Sequence, residues 1–373
     1  MNNENQNPVV QEEVTIADPN VNAAPVQDVN VAPAQTEVKE EKNDNRKKVL
    51  TAFLMLIVTA VSLTTASYAW FTENTTVSVE DIEVTVDATN GIQISTDAQK
   101  WKANITNADI TAGYTGSTNQ LPSKLSPVST IGDVETTTGF MKMYKGSLVA
   151  DSTIASGYRL EASRSTEAGN ADGTAGTEGD FIAFDLFILA TQATSIYLTG
   201  SSDVVTSGTD KGLKNASRLA FLYQGSATAG DYATARGLKG ATSHSAGTTT
   251  NVIWEPNADK HTTNGISQAG NYGVTLTDGT KVASYYGVQT DITTENKVDY
   301  TSTSTTYFSS VTPDIVTVEG NGTNTTLPFN LAVGINKIRV YAWIEGQDYD
   351  CENNASGTKV IYRFQIAKAT AGA

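Results

Sequence analysis

Phe181-Ile182-Ala183-Phe184-Asp185-Leu186-Phe187-Ile188-Leu189 is the stretch on which the reading of this chain turns. It is a nearly continuous apolar run, preceded by the Gly/Asp/Thr/Ala tract 169–180 and followed by a polar turn before Ser195-Ile196-Tyr197-Leu198. A short run of this kind, enriched in aromatic and branched side chains, reads as a β-strand buried on both faces. The fold around it must therefore supply an apolar layer on each side.

Downstream, Arg218–Tyr223 and Asn251–Glu255 read as further strands, the second stopped by Pro256, which cannot donate to a ladder. Ile315–Val318 and Leu327–Leu331 follow, and then Asn336–Ile344 sets Ile338, Val340, Ala342 and Ile344 against Lys337, Arg339, Tyr341 and Trp343. Val360–Ile366 alternates again near the end of the sequence. Upstream, Val77-Ser-Val-Glu-Asp-Ile-Glu-Val-Thr-Val86 shows two alternating halves with a phase slip at Asp81, the pattern of strand, bulge, strand. Gly91–Ser95 follows an Asn-Gly turn signal, so it either pairs back on that strand or opens the opposite sheet. Between Trp101 and Asp180 the chain is rich in Thr, Ser, Gly and Ala, with apolar islands at Thr138–Tyr144 and Ser147–Val149, and reads as loops with short strands between them.

These strands, the abundance of turn residues and the lack of a convincing amphipathic helix predict an all-β fold, a two-sheet jelly-roll-type sandwich with long loops over residues 87–373. The polar composition around 225–314 predicts insertion-like loops there.

Ahead of the strands, Val49–Phe71 carries no charge and directly follows Arg46-Lys47-Lys48. As a helix it would rise roughly 34 Å, enough to cross a hydrocarbon core, and the basic triplet would stay on the cytoplasmic side. Its apolar part ends near Val61 and passes into Ser62, Thr64, Thr65 and Ser67, which suits a signal peptide cut between Ala69 and Trp70, with Ser67 and Ala69 as the small residues read by a signal peptidase. The alternative is an uncleaved anchor over 49–69, because the segment 1–48 ahead of the run is far longer than a usual basic leader. That segment is rich in Asn, Gln, Val, Pro, Ala and Glu with no aromatic side chain and reads as a disordered tail. In either case everything beyond residue 70 is expected outside the cell or at its surface.

The formal net charge is −15, of which −4 lies in the segment 1–48, where nine acidic residues face five basic ones. No basic cluster exists beyond the membrane edge, so nucleic acid is not an expected partner. One cysteine, Cys351, excludes an intrachain disulfide and reads as a small buried apolar side chain.

Catalytic patterns are missing from the sequence. His244 and His261 are the two histidines, in polar sequence and without metal-ligand spacing, and both read as plain surface. There is no Gly-x-Ser-x-Gly elbow, phosphate loop or dinucleotide fingerprint, so no cofactor and no enzymatic activity are expected. Asp348, Asp350 and Glu352 alternate as oxygen ligands for a hard cation would, although Asn353 and Lys359 stand where a helix-flanked calcium loop needs Gly and Glu; a solvated turn is the competing reading. Trp254, Trp343, Tyr341 and Tyr349 could form a sugar-stacking face, against which stands the usual core role of tryptophan on a strand.

The junction Ser67-Tyr-Ala-Trp-Phe-Thr-Glu-Asn74 resembles the cleavage region of the TasA and camelysin family of bacterial biofilm-fibre subunits, a likeness confined to that short stretch; the long N-terminal tail departs from that family. The resemblance implies processing by a dedicated signal peptidase, a jelly-roll domain, and a freed N-terminal segment that inserts as a strand into the next subunit; the scarcity of cysteine is in keeping with export by a Gram-positive bacterium. The segment 70–86 would be that donor, with Val77, Val79, Ile82, Val84 and Val86 as its apolar face. The expected function is thus a non-enzymatic surface or extracellular-matrix protein that self-associates into filaments, the alternative being a membrane-anchored adhesin or carbohydrate-binding module.

Overall fold

A computed structural model describes residues 77–86, 91–135, 137–150, 158–165, 178–240, 251–257, 259–271, 275–277, 279, 296–298, 316–320, 322–346, 348–351 and 358–369. The tail 1–48, the run 49–69 with Ser67 and Ala69, Trp70 and Glu352 lie outside the described residues. Among the described residues no helix is long and apolar enough to cross a membrane.

The chain is built mainly of strands: β1 (Val77–Val86), β2 (Ile92–Ser95), β3 (Asn104–Ile105), β4 (Lys124–Leu125), β5 (Ser129–Val134), β6 (Met141–Ala150), β7 (Tyr158–Ser165), β8 (Glu178–Gly179), β9 (Ile182–Ala190), β10 (Thr194–Leu198), β11 (Asp203–Ser207), β12 (Ser217–Ala227), β13 (Asn251–Glu255), β14 (Asn296–Val298), β15 (Val316–Glu319), β16 (Thr325–Leu331), β17 (Gly334–Ile344) and β18 (Lys359–Lys368). They form three sheets where the sequence pattern suggested two. The first has the order β16-β10-β18-β1-β4-β8, with β11 also on β18 and β3 on β1; the second is β15-β13-β12-β17-β9-β2; the third is β14-β7-β6-β5.

The apolar faces explain the third sheet. Ile182, Phe184, Leu186 and Ile188 of β9 join Leu219 and Phe221 of β12 and Ile338, Val340 and Ala342 of β17 in one cluster with Ile82, Val84, Val360, Tyr362 and Phe364 of the first sheet. The opposite faces of the same strands, through Ala183, Ala220, Leu222, Tyr341 and Trp343, pack on Val134, Met141 and Met143 of the third sheet. The second sheet is therefore a middle layer. That is why β9 is buried almost throughout and why every residue of β17 is buried, Lys337 and Arg339 included, although strict alternation would have turned those two toward solvent.

The bulge appears where the phase slip predicted it, between Val79 and Asp81 of β1. Of the two options for Gly91–Ser95, the structure has the second: β2 pairs with β9 at the edge of the middle sheet. The region 225–314 is not only loop, since it contains the helices Tyr232–Gly237 and Thr263–Asn271 and the strand β14, which pairs with β7.

Candidate functional site

The N-terminal strand occupies an interior position of the first sheet. β1 runs parallel to β18 from Ser78↔Lys359 to Val86↔Ile366, joining segments from near the two ends of the described chain. Its other side is held piecewise. Val77 and Ser78 pair with β4, Val84 and Thr85 pair with β3, Val79 N–H donates to Ser123 O at 2.8 Å, Val86 N–H donates to Ala103 O at 2.9 Å, and between them Ile82 N–H reaches Asn107 Oδ1 at 3.0 Å. Long pairing on one flank and short partners on the other make a slot one strand wide.

The slot is apolar at its floor. Val77, Ile82, Val84 and Val86 are buried and Val79 packs against the same core half-buried, so the side chains read from the sequence as one apolar face do share one. Full burial of such side chains contributes about 1.5–3 kcal/mol each, an upper estimate against an extended chain. The rim is polar: Glu83 accepts from Arg363 Nε at 2.8 Å with both side chains partly exposed, a contact of small worth.

The acidic segment near the C-terminal end of the middle sheet is not a solvated turn. Asp348 and Asp350 are buried, and each is already engaged. Asp348 Oδ2 lies 2.5 Å from Arg218 Nη2, and Asp348 Oδ1 accepts from Asp350 N–H at 2.8 Å. Asp350 takes His261 Nδ1 at 2.8 Å and the Thr262 N–H at 2.7 Å. Burial pushes the Asp348 carboxyl up to about 6, the neighbouring Asp350 adding to the rise while Arg218 opposes it. Among the described residues no group of three or more His, Cys, Asp or Glu is disposed to hold a metal ion. His261 departs from its surface reading, because its side chain is 7% exposed and faces a carboxylate; His244 lies outside the described residues. Trp254, Trp343 and Tyr341 are core residues, which removes them from any sugar-stacking face, and Cys351 is buried as expected.

A second ionic group, not foreseen from the sequence, lies on the same face of the middle sheet. Asp185 stands directly across from Arg339 in the β9–β17 register, with Arg339 Nη1 at 2.9 Å, Lys337 Nζ at 3.1 Å and the Tyr114 hydroxyl at 2.6 Å from its oxygens. Burial alone would raise the Asp185 carboxyl, but Arg339 and Lys337 outweigh it and hold the group below the usual range. Burial lowers the Lys337 ammonium, and burial with the nearby Asp185 raises the Tyr114 phenol. Lys337 also donates to the carbonyls of Arg236 at 2.9 Å and Leu238 at 3.0 Å, and Arg339 to Thr118 O at 2.8 Å, so the group ties two connecting segments onto the sheet. The signal was a single charged residue inside an otherwise apolar strand, which requires an internal partner.

Comparison with protein-family models, with characterised proteins and with solved structures finds no match to this chain.

Proposed function

We infer that the chain is a non-enzymatic, exported structural subunit of a bacterial surface or extracellular matrix, one that assembles by passing β1 to a neighbouring copy. The observation that carries this reading is the placement of β1 in a one-strand slot beside β18, with only residues 87–91 between it and β2 in the sequence. A strand that leaves its own slot and fills the same slot in the next molecule remakes the same contacts, so exchange costs little beyond a changed linker, and head-to-tail exchange of this kind propagates as an open filament. The first and second sheets correspond in this reading to the jelly-roll-type sandwich, with the third sheet as an addition to it. Residues 49–69 deliver the chain to the membrane, and cleavage between Ala69 and Trp70 by a signal peptidase frees the strand to move.

The test compares chains beginning at residue 70 and at residue 87 by electron microscopy. Filaments are expected only from the first; equal assembly of both, or filaments from neither, removes strand donation. The intact mass of the exported protein reports separately on processing, since cleavage takes away everything from Met1 to Ala69.

A further inference from the structure

Among the described residues, the ionic group around Asp348 holds more carboxyls than cations. Arg218 on β12 is fully buried in it, with Nε 3.4 Å from Glu255 Oε1 and Nη2 2.5 Å from Asp348 Oδ2. Glu255 ends β13, Glu345 follows β17 and accepts from Trp343 Nε1 at 3.1 Å, and Asp350 lies beyond Asp348; all four carboxyls are buried. The further titratable neighbours among the described residues are His261, ahead of the helix Thr263–Asn271, and Tyr362 on β18, whose hydroxyl donates to Trp343 O at 3.4 Å. Ionising every carboxyl here would leave a buried surplus of negative charge that a single guanidinium does not offset.

The group joins three separate segments. Arg218 also donates to the carbonyls of Asn215 and Ser217, fixing the turn Leu213–Ala216. Asp350 accepts from Thr262 N–H and faces His261, fixing the start of the helix Thr263–Asn271. Gly212 and Gly265 both abut Asp350 so closely that a Cβ at either would strike it, which shows how tightly Asp350 is wedged between them. The chain leads on from there to β18.

We propose that the Arg218, Glu255, Glu345, Asp348, Asp350 and His261 group is a proton-operated clasp, which grips residues 348–351 and the helix Thr263–Asn271 in mildly acidic surroundings and slackens as the medium becomes neutral. The geometry sets the direction: a proton on a carboxyl relieves repulsion only while the segments are docked, so docking and proton uptake favour one another. Asp348 is the first site for that proton, being buried and held up to about 6 against an ordinary carboxylate value of 3.8. The clasp is at full strength below the ordinary value and is lost as pH rises through the docked one.

Hydrogen exchange of the full chain in detergent, corrected for intrinsic rates, reads the clasp through the amides of Thr262, Asp350 and Cys351. Their protection is expected to fall by about tenfold per pH unit, up to about a hundredfold between roughly pH 4 and pH 6.5, and then to level off. Asp348→Asn should flatten that slope, and Glu255→Gln, which removes one repelling charge, should move its midpoint to lower pH and serves as the deciding variant if Asp348→Asn does not fold. A flat wild-type profile overturns the proposal. So does a slope that persists in Asp348→Asn, or a midpoint that Glu255→Gln leaves in place.

Discussion

At the scale of single residues, the charged side chains inside the middle layer decide most. Asp185 pairs with both Arg339 and Lys337 inside the protein, so Asp185→Ala takes a close carboxylate away from two buried cations. Breaking such a group costs about 3–5 kcal/mol, and chemical denaturation of the variant should show a loss of that size. The sign of its pH dependence follows from the same contacts: a carboxyl held below its unfolded value contributes stability above about pH 4 and loses it as the pH falls further. Wild-type stability should therefore drop in acid below that point by more than the variant's does. Asp185 was legible as an anomaly, one charge in an apolar strand, but its partners Lys337 and Arg339 sit far along the chain and only the register of β9 against β17 brings them together.

At the scale of elements, β1 carries the functional reading. Its apolar face and its bulge were legible because a period of two, broken once, leaves a visible phase slip. Its neighbours were not, since parallel pairing with β18 depends on contacts that no local pattern encodes. Ile82→Ala should destabilise the chain by about 2–5 kcal/mol through the buried volume it deletes, whereas Glu83→Ala, one residue on and at the exposed rim, should change stability by about 1 kcal/mol or less. Thermal or denaturant unfolding of the pair separates the two, and similar losses for both would mean that β1 is not seated as described.

At the scale of the whole molecule, the layering predicts an order of opening. β9, β12 and β17 hydrogen-bond to strands on both sides and are covered on both faces, so their amides should exchange last, and those of the very short strands β3, β4 and β8 early. Hydrogen exchange read by mass spectrometry checks this ranking; slower exchange in β1 and β18 than in β17 would contradict a central second sheet.

The sequence by itself determined that the chain is mostly β, where the long apolar strands β1, β9, β12, β13, β17 and β18 run, where β1 bulges and that Trp254, Trp343 and Cys351 go inside, because these follow from local periodicity and the cost of exposing apolar surface. Tertiary structure alone decided that there are three sheets and not two, that Lys337, Arg339, Asp348 and His261 are interior groups, and that the first strand lies beside the last. Those outcomes depend on which faces meet between segments remote in sequence, and a side chain's alternation along its own strand does not record what will cover it.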